Sequence, residues 1–311
     1  MTPVYGPVPS RRLGRSLGAD LVPFKTCTYD CIYCQLGRTT HLTTRRGEYV
    51  ATDNVLAELK IKLDCVPSPD YVCISGSGEP TLHAQIGEVI TGIKRLTRAP
   101  VAVLTNGSLL GDVGVREALM EADLVMPSLD AGDEAMFQQV NRPHPEIAFE
   151  KMVEGLADFT ARFRRLVWLE VLFVDGITGT EPEAAKIAAL ARRIRPGRVQ
   201  LNTVSRPPAE GFTRAVPRER LERLAQCFST PVELISDSGP AGASPPSPYS
   251  VTDPEILALL ERRPCTAGGL AAGLSLHVQE VAKRLDALVK TGAVAVLQKN
   301  GEVFYRLRSP T

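Results

Sequence analysis

The 311-residue sequence predicts an α/β fold built on parallel strands. Three observations carry this. Short β-branched runs recur along most of the chain. They are nearly continuous in apolar character, as expected of strands buried on both faces of a parallel sheet. Amphipathic stretches separate them, and strand–helix alternation is the signature of parallel α/β folds.

The runs are ADLVP (19–23), YVCIS (71–75), VAVLT (101–105), LVMPSL (124–129), VWLEVLF (167–173), RVQLNTV (198–204) and VELIS (232–236). Between them, residues 53–64 read as a helix with Thr52 or Asp53 as its cap. Residues 181–194 read as an alanine-rich helix with Pro182 in the first turn. Periodicity alone leaves open whether the sheet closes as a barrel or stays open.

SDSGPAGASPPSPYSVTD (236–253) breaks this rhythm and reads as a linker. Helical patterns follow at 256–263, 266–274 and 275–292, the last ending at Gly292. Two strands within 293–307 flank Lys299-Asn300-Gly301, a hairpin signal. Three helices and a hairpin form the winged-helix pattern, a variant of helix-turn-helix. The chain therefore divides into residues 1–237, a linker at 238–252, and a small unit at 253–311.

The sequence is 44% hydrophobic, enough for a large core. Its 36 Lys and Arg nearly balance 35 Asp and Glu, so no global field draws polyanions. No apolar run reaches the roughly 18 residues of a membrane span. The N-terminus lacks a secretory apolar segment. These features point to the cytoplasm and away from a membrane, where clustered thiols read as metal ligands rather than disulfides.

KTCTYDCIYCQLG (25–37) gathers Cys27, Cys31 and Cys34, three of the seven cysteines, as C-x3-C-x2-C. Soft thiolates suit zinc or iron–sulfur centres. Structural zinc takes four ligands, often as two knuckles, and no second knuckle exists. Cys65, Cys73, Cys227 and Cys265 are scattered and read as small hydrophobes. Three thiolates on a cubane leave one iron open to a substrate or cofactor.

This spacing, with Tyr33 just before the last cysteine, resembles the radical S-adenosylmethionine (radical SAM) superfamily. The resemblance implies a partial (β/α)6 TIM-like barrel, with Cys27, Cys31 and Cys34 holding a [4Fe–4S] cluster. The open iron would chelate S-adenosylmethionine, which is reductively cleaved to a 5′-deoxyadenosyl radical that abstracts hydrogen from a substrate. An electron donor such as flavodoxin or ferredoxin is implied. In GSGEPTL (76–82), Gly76, Gly78 and Glu79 correspond to the binders of the methionyl group, with Ser77 where glycine is common. TNG (105–107) and PSLDA (127–131) offer Asn106, Ser128 and Asp130 as further cofactor contacts. Tyr33 is expected beside the adenine.

GxGEPTL, TNG and SLDA look most like the branch of the tRNA wyosine-base synthase, though no second cysteine set is present. GPVPSRRLGRSLG and the winged-helix pattern resemble a bacterial group related to that branch. A tRNA base and a peptide or protein are the substrate candidates. The alternative is a [4Fe–4S] redox-sensing, nucleic-acid-binding regulator using the winged helix, which needs the cysteine trio but not Glu79. The last unit carries eight Lys and Arg against six Asp and Glu, which is modest for a DNA reader. RNA docking, protein contact and capping of the barrel stand beside DNA reading.

Several polar residues read two ways. Glu170 inside an apolar run needs a partner or a wet cavity. Gln200 and Asn202 share one strand face, either lumen or core. Arg142, and Arg11, Arg12 and Arg15, are substrate contacts or solvated charges. The four histidines show no metal-ligand spacing.

Overall fold

The computed structural model describes residues 2–10, 12–66, 68–235, 252–274, 276, 278–299 and 301–308. The chain opens with strands β1 (Val4–Ser10) and β2 (Gly14–Ala19), then the short β3 (Thr26–Cys27) and β4 (His41–Leu42). Next come α1 (Thr52–Cys65), β5 (Tyr71–Ile74), a 3-10 turn (Pro80–Leu82), α2 (Ile86–Leu96) and β6 (Val101–Thr105). Then follow α3 (Val113–Ala118), β7 (Leu124–Pro127), α4 (Glu134–Val140), α5 (Phe149–Arg162) and β8 (Leu166–Phe173). The sheet ends with α6 (Glu181–Ile194), β9 (Arg198–Thr203), α7 (Arg218–Ala225) and β10 (Val232–Leu234). The last unit is α8 (Asp253–Arg262), α9 (Ala267–Leu274), α10 (Val278–Lys290), β11 (Val294–Lys299) and β12 (Glu302–Leu307).

Among the described residues, eight strands form one sheet in the order β1-β2-β5-β6-β7-β8-β9-β10. β1 pairs antiparallel with β2, and the rest are parallel. Successive side chains take opposite faces. Val72, Val103 and Val125 pack under the helices, whereas Cys73, Ala102, Leu124 and Met126 form an inner cluster with Leu13. The sheet curls around that inner face. Arg12, between β1 and β2, forms an ion pair with Glu170 on β8. β2 and β8 are four strand spacings apart, about 19 Å if flat, beyond the joint reach of the two side chains.

The expected strands at 71–75, 101–105, 124–129, 167–173, 198–204 and 232–236 all form, some shortened. Three local readings differ. The first parallel strand is residues 14–19, not 19–23. Its glycines hide it, yet a Cβ on Gly18 would lie 2.0 Å from the Tyr5 ring, so the small residue makes room for an aromatic on β1. β1 itself was not expected; Pro7 and Pro9 argue against a central strand, but an edge tolerates them. The cap of α1 is Ala51 without a side-chain bond; Glu48 instead accepts the Thr52 N–H at 3.1 Å.

The free edge of β1 is covered. Val8 and Tyr5 pack into the core of the last unit with Ile256, Leu260, Leu270 and Leu285. Lys62 on α1 also pairs with Glu255 on α8 at 3.1 Å. β11 and β12 pair antiparallel, and Gly301 at their turn has φ +80°. The linker reading at 238–252 lies, but for Thr252, outside the described residues, as does Asn300. Among the described residues no helix is long and apolar enough to cross a membrane.

Candidate active site

The cysteine loop leaves β3 and docks on the end of α4. Buried Tyr29 meets Phe137 edge-on at 5.3 Å, and Ile32 N–H donates to Val140 O at 3.0 Å. Cys27, Cys31 and Cys34 are free thiols. Each sulfur faces a nitrogen donor: Asn106 Nδ2 at 3.6 Å from Cys27, Asn141 Nδ2 at 3.5 Å from Cys31, and Lys25 Nζ at 3.7 Å from Cys34. Burial, with Glu79 next, pushes the Cys27 thiol up to about 12. Burial and the neighbouring Cys34 and Cys27 hold Cys31 well above its ordinary range.

This donor set fits an iron–sulfur cluster. It offers three soft ligands on one anchored loop; Cys27 and Cys31 are costly to ionise while bare, and metal coordination removes those protons. Among the described residues no three His, Cys, Asp or Glu side chains converge on a point where one metal ion would sit, and a cluster does not require it, because its three cysteines bind three different irons.

Beside them lies the loop after β5. A Cβ on Gly78 would sit 1.7 Å from Thr26 O, so glycine alone lets the loop lie against the cysteine strand. A Cβ on Gly76 would lie 2.3 Å from Asp20 Cγ. Ser77, where the resemblance leads one to expect glycine, has its own partner: its N–H donates to Asp20 Oδ2 at 3.0 Å, and its hydroxyl to the same oxygen.

Glu79 is buried and caps the 3-10 turn. Among the described residues its carboxylate accepts from Thr81 N–H at 3.0 Å, Thr81 Oγ1 and Thr105 Oγ1 at 2.6 Å each, and Asn106 N–H at 2.7 Å. Burial raises its pKa, and the Thr105, Thr81 and Asn106 bonds oppose the rise. A carboxylate so held is a fixed negative charge at a strand's carboxyl end, where α/β sheets place ligands.

Asp130 is buried and accepts from the Tyr33 hydroxyl, Asn141 Nδ2 at 3.2 Å and Leu172 N–H at 2.8 Å. Burial pushes its carboxyl up to about 6 despite these donors.

A cavity of about 390 Å³ unites these parts. Cys27, Cys34, Tyr33, Gly76, Gly78, Glu79, Asn106 and Ser128 line it, whereas Cys31 and Asp130 are not among its lining residues. On the side of β8 and β9, Arg12, Glu170 and Asn202 form a polar wall, with Asn202 Nδ2 3.1 Å from Glu170 Oε1. Gln200 is not part of it and donates to Glu233 at 2.9 Å. Arg142 pairs with Glu210 at 2.6 Å, and Arg15 donates its backbone N–H to Asp70 at 2.7 Å. Arg11 lies outside the described residues. His83 is buried with Nε2 2.8 Å from Val50 O.

Sequence reasoning missed Asp20, Asn141 and the contribution of α8, whose Leu259 and Arg262, with the adjoining Arg263, complete the cavity wall. Asp20 follows directly on the end of β2, a position that could have drawn notice. Arg262 carries no such signal.

The family model described as the Radical SAM superfamily matches residues 21–227, which hold the three cysteines, Glu79 and the parallel strands β5 to β9. The chain belongs to that superfamily, is a radical SAM enzyme, and uses a [4Fe–4S] cluster and S-adenosylmethionine.

Among its relatives is the UPF0026 protein MJ1312 of Methanocaldococcus jannaschii, 32% identical over 74% of this chain and 72% of that protein. A Brachyspira hyodysenteriae protein named GTPase Obg is 38% identical over 97% of this chain, which spans 45% of that protein's length. In fold, the chain is similar to a radical SAM methyltransferase from Sphaerobacter thermophilus, with TM-score 0.54 and 17% identity over 70% of this chain and 65% of that one.

Proposed function

We propose that the protein abstracts a hydrogen atom from an organic substrate held against Arg12, Glu170 and Asn202. When bound, cluster and cofactor supply a 5′-deoxyadenosyl radical. The chain's residues bind and orient. Cys27, Cys31 and Cys34 hold the cluster. Gly76 and Gly78 admit the methionyl backbone, and Glu79 faces its ammonium. Tyr33 lies beside the adenine, its hydroxyl held by Asp130, while Asn106 and Ser128 complete the cofactor wall. The single observation that carries this reading is one cavity lined by Cys27, Cys34 and Glu79 at one end and by Glu170 and Asn202 at the other.

The division at 237 and 253 belongs to this reading, with 253–311 a winged-helix unit that closes the cavity mouth against water. So do a cytoplasmic setting, a flavodoxin- or ferredoxin-type donor, and kinship with the wyosine-base synthase branch. The GTPase name does not carry over, because the sequence contains no Gly-x4-Gly-Lys-Ser/Thr phosphate loop.

The test is anaerobic. The protein is reconstituted with iron and sulfide, given S-adenosylmethionine and dithionite, and 5′-deoxyadenosine is quantified. Product lost in Cys31→Ala and reduced in Glu79→Ala supports the reading. A fully loaded cluster that never cleaves the cofactor overturns it. Product formation is then screened with tRNA and with peptide pools, and stimulation by either assigns the substrate class.

A further inference from the structure

We propose that Arg262 is a positioning residue for the cofactor loop, making the last unit part of the S-adenosylmethionine site. The inference rests on the reading that Gly76 to Glu79 hold the methionyl group. It goes further by assigning a role to a residue far from every cofactor motif.

Arg262 ends α8, yet its side chain is 5% exposed. It leaves its own unit and plugs into the N-terminal strands. Nη2 donates to Thr2 O at 2.5 Å, and the guanidinium lies 4.2 Å from the centre of the Tyr5 ring. Nε, with no hydrogen-bond partner among the described residues, lies 4.0 Å from Asp20 Oδ2. The other Nη donates to Ala258 O of its own helix at 2.9 Å, which fixes the fork in orientation.

Tyr5 and Asp20 both hold the cofactor loop. The Tyr5 hydroxyl is 3.2 Å from Ser75 O and Ser75 Oγ. Asp20 takes both donors of Ser77 and fills the space a Cβ on Gly76 would need. One guanidinium therefore sits behind two side chains that fix Ser75, Gly76 and Ser77, immediately before Gly78 and Glu79.

The electrostatics favour this arrangement. Asp20 is buried, and burial raises its pKa, with the Ser77 bonds and Arg262 opposing the rise. A buried carboxylate needs a countercharge to stay ionised and keep accepting from Ser77. Arg262 supplies it from another part of the chain. Anything that shifts α8, such as a partner docking on the last unit, thereby acts on the cofactor loop through a defined contact.

The experiment uses the full-length reconstituted protein. S-adenosylmethionine affinity is measured by equilibrium dialysis, iron content by assay, and amide hydrogen exchange of residues 75–79 by mass spectrometry. The variants are Arg262→Ala, Arg262→Lys, Asp20→Asn, the Arg262→Ala/Asp20→Asn pair, and Lys62→Ala, which breaks a second polar docking contact without touching the loop. Arg262→Ala is expected to weaken affinity at least tenfold and speed exchange at 75–79 while iron content holds. Arg262→Lys should fall between, since it keeps a charge but not the fork. The double variant should lose less than the sum of its parts, and Lys62→Ala should stay within twofold of wild type. Unchanged affinity and exchange in Arg262→Ala overturns the proposal, as does an equal loss in Lys62→Ala, which marks general undocking. Faster loop exchange in Arg262→Ala with no cofactor binding by the loaded wild type overturns the underlying assignment and leaves the positioning contact standing.

Discussion

The backbone N–H of Asn106 donates to Glu79 Oε2 at 2.7 Å, and the side chain of the same residue reaches Cys27 Sγ at 3.6 Å. One residue at the end of β6 thus joins the acidic and sulfur halves of the site. Thr105, just before it, donates to the other Glu79 oxygen at 2.6 Å.

Thr105→Val removes that donor and nearly preserves shape. A hydrogen bond to a charged group contributes about 1.5–3 kcal/mol. Losing it raises the Glu79 pKa further, so the carboxylate is protonated at higher pH. Cofactor affinity should fall several-fold at pH 6 and less at pH 8, as read by equilibrium dialysis across pH. A uniform loss at both would assign Thr105 a packing role.

Gly78→Ala should destabilise more than Gly76→Ala. The added methyl of the first meets a backbone carbonyl 1.7 Å away, which cannot give way without moving β3. That of the second meets the Asp20 side chain, which can swing aside at the cost of its bonds to Ser77. Overpacking costs about 1–3 kcal/mol, with Gly78→Ala at or above the upper end. Urea midpoints of the metal-free variants test the order.

Asp130 has a carboxyl at about 6 in the fold against an ordinary 3.8. The folded protein therefore holds this proton more tightly than the unfolded chain. The stabilisation is full below about pH 4 and is lost as pH rises through 6, about 3 kcal/mol for a shift of two units. Asp130→Asn lacks this component. Between pH 4.5 and 7.5 the unfolding free energy of wild type should fall relative to the variant by up to that amount. Parallel denaturation curves at the two pH values would show that Asp130 does not titrate in this window.

Asn141 Nδ2 donates to Cys31 Sγ at 3.5 Å. Hydrogen bonds to cluster sulfurs favour the more negative, reduced state. Asn141→Ala should make the cluster harder to reduce, a downward shift of potential seen by redox titration of its visible absorbance. An unchanged potential with full iron content would exclude tuning by this residue.

The interior strands were legible because each is a short apolar run between helices: VAVLT at 101–105 is β6 residue for residue. The cysteine trio and GSGEPTL stood out because each is a local pattern, and the fold brings Cys27, Cys34 and Glu79 to one cavity. β1 was not, since its prolines are permitted only by an edge whose neighbours lie far along the chain. Asp20 and Arg262 escaped for a related reason. Their meaning lies in a contact across some 240 residues, and neither stands in a pattern of its own.

The contact between Thr2 and Arg262 spans a sequence separation of 260 residues. On the ribosome, β1 emerges well before α8 and α9, the helices that cover its outer edge. Until those helices follow, the nascent sheet carries an open strand edge beside Val8, the kind of edge that recruits other chains. The last unit covers the strand β1 only once it has itself been made, so a translation pause before residue 253, or truncation there, should yield aggregation rather than a soluble shorter enzyme.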